Sequence, residues 1–417
     1  MKTRYSLSLS FTLLISLINP LIAQIDVLVT PPQHIKTVTF FNQYVNDFSP
    51  MIKLGDRFTI SFDDLSDDQQ DYTYQLTHYD YNWKPSGLAN TEFIEGYSAD
   101  RIRNFERSFN TFQPYTHYSF SIPNEHTALK ISGNYVIAVL DENDEVVFSS
   151  AFMVYEPLVT VGVSAHKSKT IADINSAQRL EVLINYPNYR INNPNTEIKL
   201  TLIKNFDWHQ QRKNVLPQFH RGTQLIYNQN ELSFGGGNEF LFFDTKEIRN
   251  PVNKIARINL DDIFHTYLYS DEPRADVPYT YNPDINGNFL VRTIDSDDNA
   301  LEADYAMVYF SLLAEPYDNH DLYIYGNFNN WRLTEENKLR YHPDEKRYTG
   351  QLLLKQGFYN YTYMAADKTK KIAPNLVEGS FYQTENEYAV FVYHRPFGTR
   401  YDRIIGFGKT KVEKLRN

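Results

Sequence analysis

Residues 72–83 read Y-T-Y-Q-L-T-H-Y-D-Y-N-W, and the run they open decides the fold. It continues as Y-T-H-Y-S-F-S-I-P-N at 115–124, K-I-S-G-N-Y-V-I-A-V-L at 130–140 and F-M-V-Y-E at 152–156. Tyr118, Phe120 and Ile122 alternate with polar residues, the mark of a half-buried strand. Residues 135–140 are apolar on both parities, which predicts a central strand covered on both sides. Asp141, Glu142, Asn143 and Asp144 form a turn signal leading into a further strand, 146–155. In the opening stretch Tyr72, Tyr74 and Leu76 share one parity, whereas Tyr79, Tyr81 and Trp83 share the other. That change of phase predicts a β-bulge at Thr77 and His78. Upstream, Phe58, Ile60 and Phe62 alternate in the same way, and the acidic run 63–71 reads as a turn.

Beyond Glu156 and Pro157 the pattern resumes. Leu180, Val182 and Ile184 share one face of a strand. Ile198, Leu200 and Leu202 share another, with Lys199 and Thr201 expected to point outward. Residues 208–218 look polar and loop-like. Gly235, Gly236 and Gly237 form a glycine turn ahead of the apolar run 239–244. The Pro- and Asp-rich residues 271–287 read as a long exposed connection. Tyr359, Tyr361 and Tyr363 alternate, and Tyr388, Val390 and Val392 mark a last strand. Short strands with turn signals every 8–12 residues or so, and no long amphipathic helix, point to an all-β chain of three serial immunoglobulin-like or early-set β-sandwiches. The boundaries expected are 24–156, 157–300 and 301–396, with a polar tail at 397–417.

The chain has 417 residues, enough for several domains. It carries 32 Tyr and 28 Phe against 3 Trp. Tyrosine in such numbers lines sheet faces or supplies interface contacts, and both readings stand. Residues 1–23 have the plan of a secretory leader: Lys2 and Arg4, an apolar stretch, Pro20, and a small residue, Ala23. That stretch is too short and interrupted to span a membrane. Removing the leader leaves 39 Lys and Arg against 51 Asp and Glu, a net charge of −12. A strongly acidic chain is a poor match to nucleic acid. There is no Cys, hence no disulfide, thiolate metal site or lipid-anchor thiol.

Little in the sequence carries chemistry. His78 and Asp80 share a strand face and His117 could join them, but no third metal ligand stands at a recognisable spacing. The acidic runs 63–71 and 295–304 lack the glycine and terminal Glu of a Ca²⁺ loop. The glycine run lacks the Lys-Ser/Thr of a phosphate loop. No H-E-x-x-H or G-x-S-x-G occurs. No catalytic residue, cofactor or metal is expected. The residues singled out are aromatic: Tyr79, Tyr81, Trp83, Tyr115, Tyr118 and Trp331, each a candidate interface anchor or a packing residue.

Two resemblances add to this. Gly326 to Trp331, G-N-F-N-N-W, resembles the signature of early-set modules that bind starch or glycogen. Such modules lean on a second Trp further on, and none follows Trp331. The second resemblance covers most of the mature chain. Tyr81-Asn82-Trp83-Lys84-Pro85-Ser86, Asn110-Thr111, Tyr115-Thr116-His117-Tyr118, Pro123-Asn124, Ile131-Ser132-Gly133-Asn134-Tyr135 and Gly236-Gly237-Asn238-Glu239-Phe240 occur in the order that resembles the type IX secretion system plug proteins of Bacteroidota. The resemblance implies a soluble periplasmic protein that docks on the periplasmic mouth of the large outer-membrane β-barrel translocon of that system and seals its pore sterically. It implies no membrane insertion, nucleic-acid partner or small-molecule ligand. A carbohydrate-binding accessory protein using Trp331 is the alternative, and a metalloenzyme built on His78, Asp80 and His117 is a third.

Overall fold

The computed structural model describes residues 29–42, 48–66 and 68–412; the expected leader lies outside them. Among these residues no helix exceeds four residues, and the chain is all-β.

The first sandwich pairs two sheets. One runs in the order Ile35–Asn42, Phe58–Asp64, Thr116–Ile122, Asn104–Arg107. The other runs Met51–Lys53, Val146–Tyr155, Gly133–Leu140, Thr73–Tyr79, Ala99–Arg101. The inward parity of each strand builds one core, with Phe58, Ile60, Phe62, Tyr74, Leu76, Tyr118, Ile137 and Phe152 at its centre. Gly133–Leu140 is central and buried along nearly its whole length, as its double parity implies. No bulge interrupts Thr73–Tyr79: its register against Gly133–Leu140 is continuous from Thr73 to Tyr79. The phase changes because both faces of that sheet are covered. Tyr74, Leu76 and His78 face the core, while Tyr79 joins Val136 and Ala151 on the far face.

Strand pairing departs from the serial order expected further on. The second sandwich has one sheet of Thr160–Lys167, Ala177–Asn185, Gln224–Tyr227 and Phe219–Arg221, with Ser233–Gly235 beside Ala177–Asn185. Its other sheet is Gln211–Lys213, Ile198–Lys204, Asn386–His394, Arg403–Val412. Asn386–His394, expected to end the third sandwich, therefore completes the second. Arg403–Val412, expected in a polar tail, is its edge strand. Gly406 and Gly408 let that strand lie against Thr160–Lys167, since a Cβ at either would fall within 3 Å of Val159 or Val161.

The third sandwich begins at Leu241–Asp244, well before residue 301. This strand pairs with Gly357–Ala366, which also pairs with Phe289–Val291, Asp321–Tyr325 and Ile372–Ala373. The facing sheet is Ile255–Leu260, Phe264–Leu268, Tyr305–Leu313, Arg347–Lys355, Arg340–His342. Phe243, Val308, Phe310, Ile324, Leu352, Tyr359 and Tyr361 fill the space between. The third sandwich is thus inserted into the second, leaving after Gly235 and returning before Asn386. The connection 271–287 is anchored at both ends. Asp271 accepts hydrogen bonds from Tyr361 (2.7 Å) and Tyr363 (2.9 Å). Gly287, at φ +80°, lies under the Trp331 ring.

Candidate functional site at the junctions of the three sandwiches

The turn that follows Thr73–Tyr79 explains the motif Y-N-W-K-P. Asp80 Oδ1 accepts the N–H groups of Asn82 and Lys84, both at 2.9 Å, and Trp83 takes a left-handed φ of 59°. That geometry turns Tyr81 inward and Trp83 sideways. The Tyr81 hydroxyl donates to the Leu200 carbonyl (2.7 Å) and accepts from Asn214 N–H (3.0 Å). Its own N–H donates to Asp402, which is buried. Around it Met51, Met153, Ile203, Phe206, Phe391, Tyr393 and Ile404 form an apolar contact between the first and second sandwiches. Thr201, expected outward, is 3% exposed because this contact covers its face.

Trp83 meets Trp208 edge to face, ring centroids 5.6 Å apart. Trp208 also packs on the cluster of Tyr325, Trp331 and Met364. All three tryptophans of the chain therefore gather where the three sandwiches meet. Asp207, next to Trp208, accepts the Tyr325 hydroxyl at 2.7 Å. Trp208 lies in a stretch that looks polar and loop-like in sequence; its rarity in the chain was the available signal.

Trp331 is 1% exposed. The G-N-F-N-N-W turn places it there by putting Asn330 and Trp331 at left-handed φ (52° and 58°). A ring enclosed by Tyr325, Phe240 and Gly287 has no face to offer a sugar. Trp331→Ala is expected to cost about 3–5 kcal/mol, read as a shift in urea midpoint, with no change in retention on a glucan column.

The first and third sandwiches meet at a buried polar cluster. Lys355 Nζ donates to Asp63 Oδ2 (2.7 Å) and to the Ala300 carbonyl (2.7 Å). Tyr305 donates to the same Asp63 oxygen at 2.6 Å, and His117 Nδ1 lies 2.6 Å from the other. The ammonium also sits 4.0 Å from the Tyr115 ring centroid. Burial would raise the Asp63 carboxyl, but Lys355 and His117 outweigh it and hold it below the usual value. Burial draws Lys355 down, and Asp63 returns part of that.

The second and third sandwiches meet at the motif G-G-N-E-F. The outgoing and returning crossings run side by side there. Phe381 N–H donates to Gly237 O (2.8 Å), as does the Thr384 hydroxyl (2.8 Å). Lys204 Nζ donates to Gly235 O (2.8 Å) and Gly236 O (2.7 Å). Asn238 donates to Glu378 O (2.9 Å). Glu239 is fully buried and accepts from the Tyr279 hydroxyl and from Glu385 N–H (3.1 Å). Burial raises Glu239 to about 7, aided by Asp284 and Glu385 and opposed by the Tyr279 and Glu385 hydrogen bonds. Burial likewise raises Asp284 to about 6.

A carboxyl whose pKa is raised on folding stabilises below its unfolded value, and that stability is lost as pH climbs through the folded one. His78, drawn down to about 4 by burial, works in the opposite sense between about pH 4 and 6.5. Lys204, drawn down to about 8, also does so, but only above that pH. The clean measure is therefore a difference between two chains. Relative to wild type, Glu239→Gln is expected to gain on the order of 2–3 kcal/mol between pH 5 and 7.5, read from urea midpoints at each pH. A constant difference would show that Glu239 does not titrate in that window.

The candidate residues are thus distributed over these contacts. Tyr118 belongs to the first core; Tyr79, Tyr81 and Trp83 face the second sandwich; Tyr115 lies at the contact with the third, and Trp331, in the third, lies at its contact with Trp208. Five of the six are buried by the chain itself, and Trp83 is half-buried. His78 and His117 sit on different sheets, with His117 committed to Asp63, so the metal site imagined from them is not assembled. Among the described residues no three His, Cys, Asp or Glu gather in a metal-binding arrangement.

Residues 35–156, the first sandwich, match the family model for the type 9 secretion system plug protein 1st domain. The chain is also similar to a hypothetical protein from Parabacteroides merdae ATCC 43184, whose crystal structure superposes with a TM-score of 0.89 at 31% identity. That match covers 92% of this chain and 98% of the other. The BSP domain of a biofilm-associated protein aligns at 8% identity over 94% of this chain and 61% of that one, with a TM-score of 0.19. No curated protein matches the chain.

Proposed function

The chain belongs to the type IX secretion system plug protein family, and from that membership we propose that it is a soluble periplasmic plug or gating subunit. It docks on the periplasmic mouth of the outer-membrane translocon barrel and closes the pore by its bulk. The observation that carries this reading is the family match of the first sandwich. The construction of the body supports it. A steric blocker must resist being deformed, and here each sandwich is tied to the other two. The ties are an apolar contact around Tyr81, a buried ion pair at Asp63 and Lys355, and a hydrogen-bonded insertion joint. No helix among the described residues is long and apolar enough to cross a membrane. The function needs no bond made or broken, which agrees with functional motifs that turn out to be joints.

The test is affinity purification of the tagged protein from detergent-solubilised envelopes, paired with a deletion strain. Recovery of a very large barrel protein, together with increased entry of a large antibiotic into the deletion strain, is expected. An unchanged permeability barrier and no barrel among the recovered proteins would overturn the reading.

A further inference from the structure

The loop 108–114 joins the edge strand Asn104–Arg107 to Thr116–Ile122. It displays two phenylalanines, with Phe109 70% and Phe112 48% exposed. Isolated exposed apolar residues are ordinary, but two in one seven-residue loop are a concentrated apolar surface. The loop is also tightly built. Asp304, itself buried, accepts the N–H groups of Phe112 (2.8 Å) and Gln113 (3.2 Å). Phe109 N–H donates to the Leu301 carbonyl (3.0 Å). Ser108 Oγ accepts from Tyr115 N–H (3.0 Å) and from the Thr111 hydroxyl (2.9 Å). Asn110 takes the left-handed φ of 58° that turns the chain between the two rings. Beneath the loop, the Tyr115 hydroxyl donates to Ala300 and Ala303 carbonyls, both at 3.0 Å. The backbone is pinned to the third sandwich while Phe109 points to solvent. Phe112 rests one edge on Phe264, ring centroids 5.2 Å apart.

We propose that Phe109 and Phe112 form a preformed docking anchor for an apolar pocket on a protein partner. A loop already ordered before binding loses little conformational entropy on association. Aromatic side chains are the ones that concentrate binding energy when they fill a pocket. The neighbouring turn fixes the partner's charge. Asp297 and Asp298 are exposed there, beside the Asn299–Glu302 turn that holds the loop, while the neighbouring Asp295 is paired with Arg249. An acidic flank disfavours an anionic bilayer and fits a pocket rimmed by Lys or Arg. The inference rests on the plug reading for the identity of the partner, which is then the translocon barrel.

The experiment compares the wild-type chain with Phe109→Ser, Phe109→Ser/Phe112→Ser and Asp297→Lys. Each is tagged, expressed in a strain lacking the native protein, and recovered from solubilised envelopes. Phe109→Ser touches no core and is expected to keep the wild-type melting temperature. Captured barrel is expected to fall about tenfold or more for the double Phe variant. It is expected to fall for the charge reversal as well, by an amount that shrinks as salt is added. Undiminished capture by the Phe variants, with wild-type capture intact, overturns the anchor and leaves the plug reading standing. Wild-type capture of no barrel overturns the plug reading and the partner named here together. Phe-dependent sedimentation with phosphatidylglycerol vesicles overturns the protein-partner assignment in favour of a lipid surface.

Discussion

Replacing Lys355 with methionine is expected to lower stability by about 3–5 kcal/mol, seen as a large drop in urea midpoint. The Lys355 and Asp63 side chains are 2% and 1% exposed, so neither charge is solvated by water. Removing the ammonium leaves Asp63 buried with only hydrogen bonds from Tyr305 and His117. Such a carboxylate must either stay ionised without its counter-charge or take up a proton at neutral pH, and both are costly. The Asp63→Leu/Lys355→Met double variant separates this account from simple loss of packing. If the cost is an uncompensated charge, the double variant recovers most of what the single one loses, because apolar replacement of a whole buried pair is often close to neutral. If Lys355 contributes chiefly by packing its stem on Tyr115, the double variant is no better than the single one. The acid limb gives a further check. Asp63 is held below its usual pKa, so the stability it contributes is present above about pH 4 and is lost as pH falls through the lowered value. Asp63→Leu/Lys355→Met should lack that limb.

The inward faces of the strands were legible because a face that meets a core alternates. Phe58, Ile60 and Phe62, then Tyr118, Phe120 and Ile122, then Leu180, Val182 and Ile184 all face the cores their spacing implies. The outward faces were not, because a second sandwich covers several of them. Tyr79 lies opposite Asn134 in a continuous register, and its burial comes from a neighbouring domain, a cause that produces no local period. Thr201 is the same case with a polar residue, which alternation assigns to solvent. The insertion was illegible for another reason. Asn386–His394 pairs with Ile198–Lys204, far upstream, and an alternating strand reads alike in either sandwich. The Pro- and Asp-rich connection 271–287 falls in the second sandwich by the expected bounds, yet it is anchored in the third, at Asp271 by Tyr361 and Tyr363 and at Gly287 under Trp331. Of the aromatic residues singled out from sequence, Tyr118 packs in the first core and the others pack between sandwiches. Their partners lie in the same chain, whereas Phe109 and Phe112, in the loop just before Tyr115, stay exposed.

Gly236→Ala is expected to be as damaging as the loss of Lys355, at about 4 kcal/mol or more, although it adds one methyl group. A Cβ at Gly236 would lie 1.9 Å from the Phe381 carbonyl oxygen and 2.6 Å from its carbon. Both are backbone atoms, so no side-chain rotation relieves the clash, and the outgoing and returning crossings must separate. Separation strains every bond that crosses the joint: Asn386 to Gly236 O at 2.9 Å, Lys204 to the same oxygen at 2.7 Å, and Phe381 N–H to Gly237 O at 2.8 Å. Lys204 is then the critical group, since a buried ammonium that loses its carbonyl acceptors is uncompensated. The effect should therefore exceed what steric overlap alone costs. Gly162→Ala supplies the control. It lies on an exposed strand where a Cβ meets nothing closer than 3.8 Å, and its midpoint should move by no more than about 0.5 kcal/mol. If Gly236→Ala proves as mild as Gly162→Ala, the crossings tolerate separation and the third sandwich is not rigidly seated in the second. A plug that seals by bulk could not then rely on that joint, and rigidity would have to come from the Asp63 and Tyr81 contacts alone.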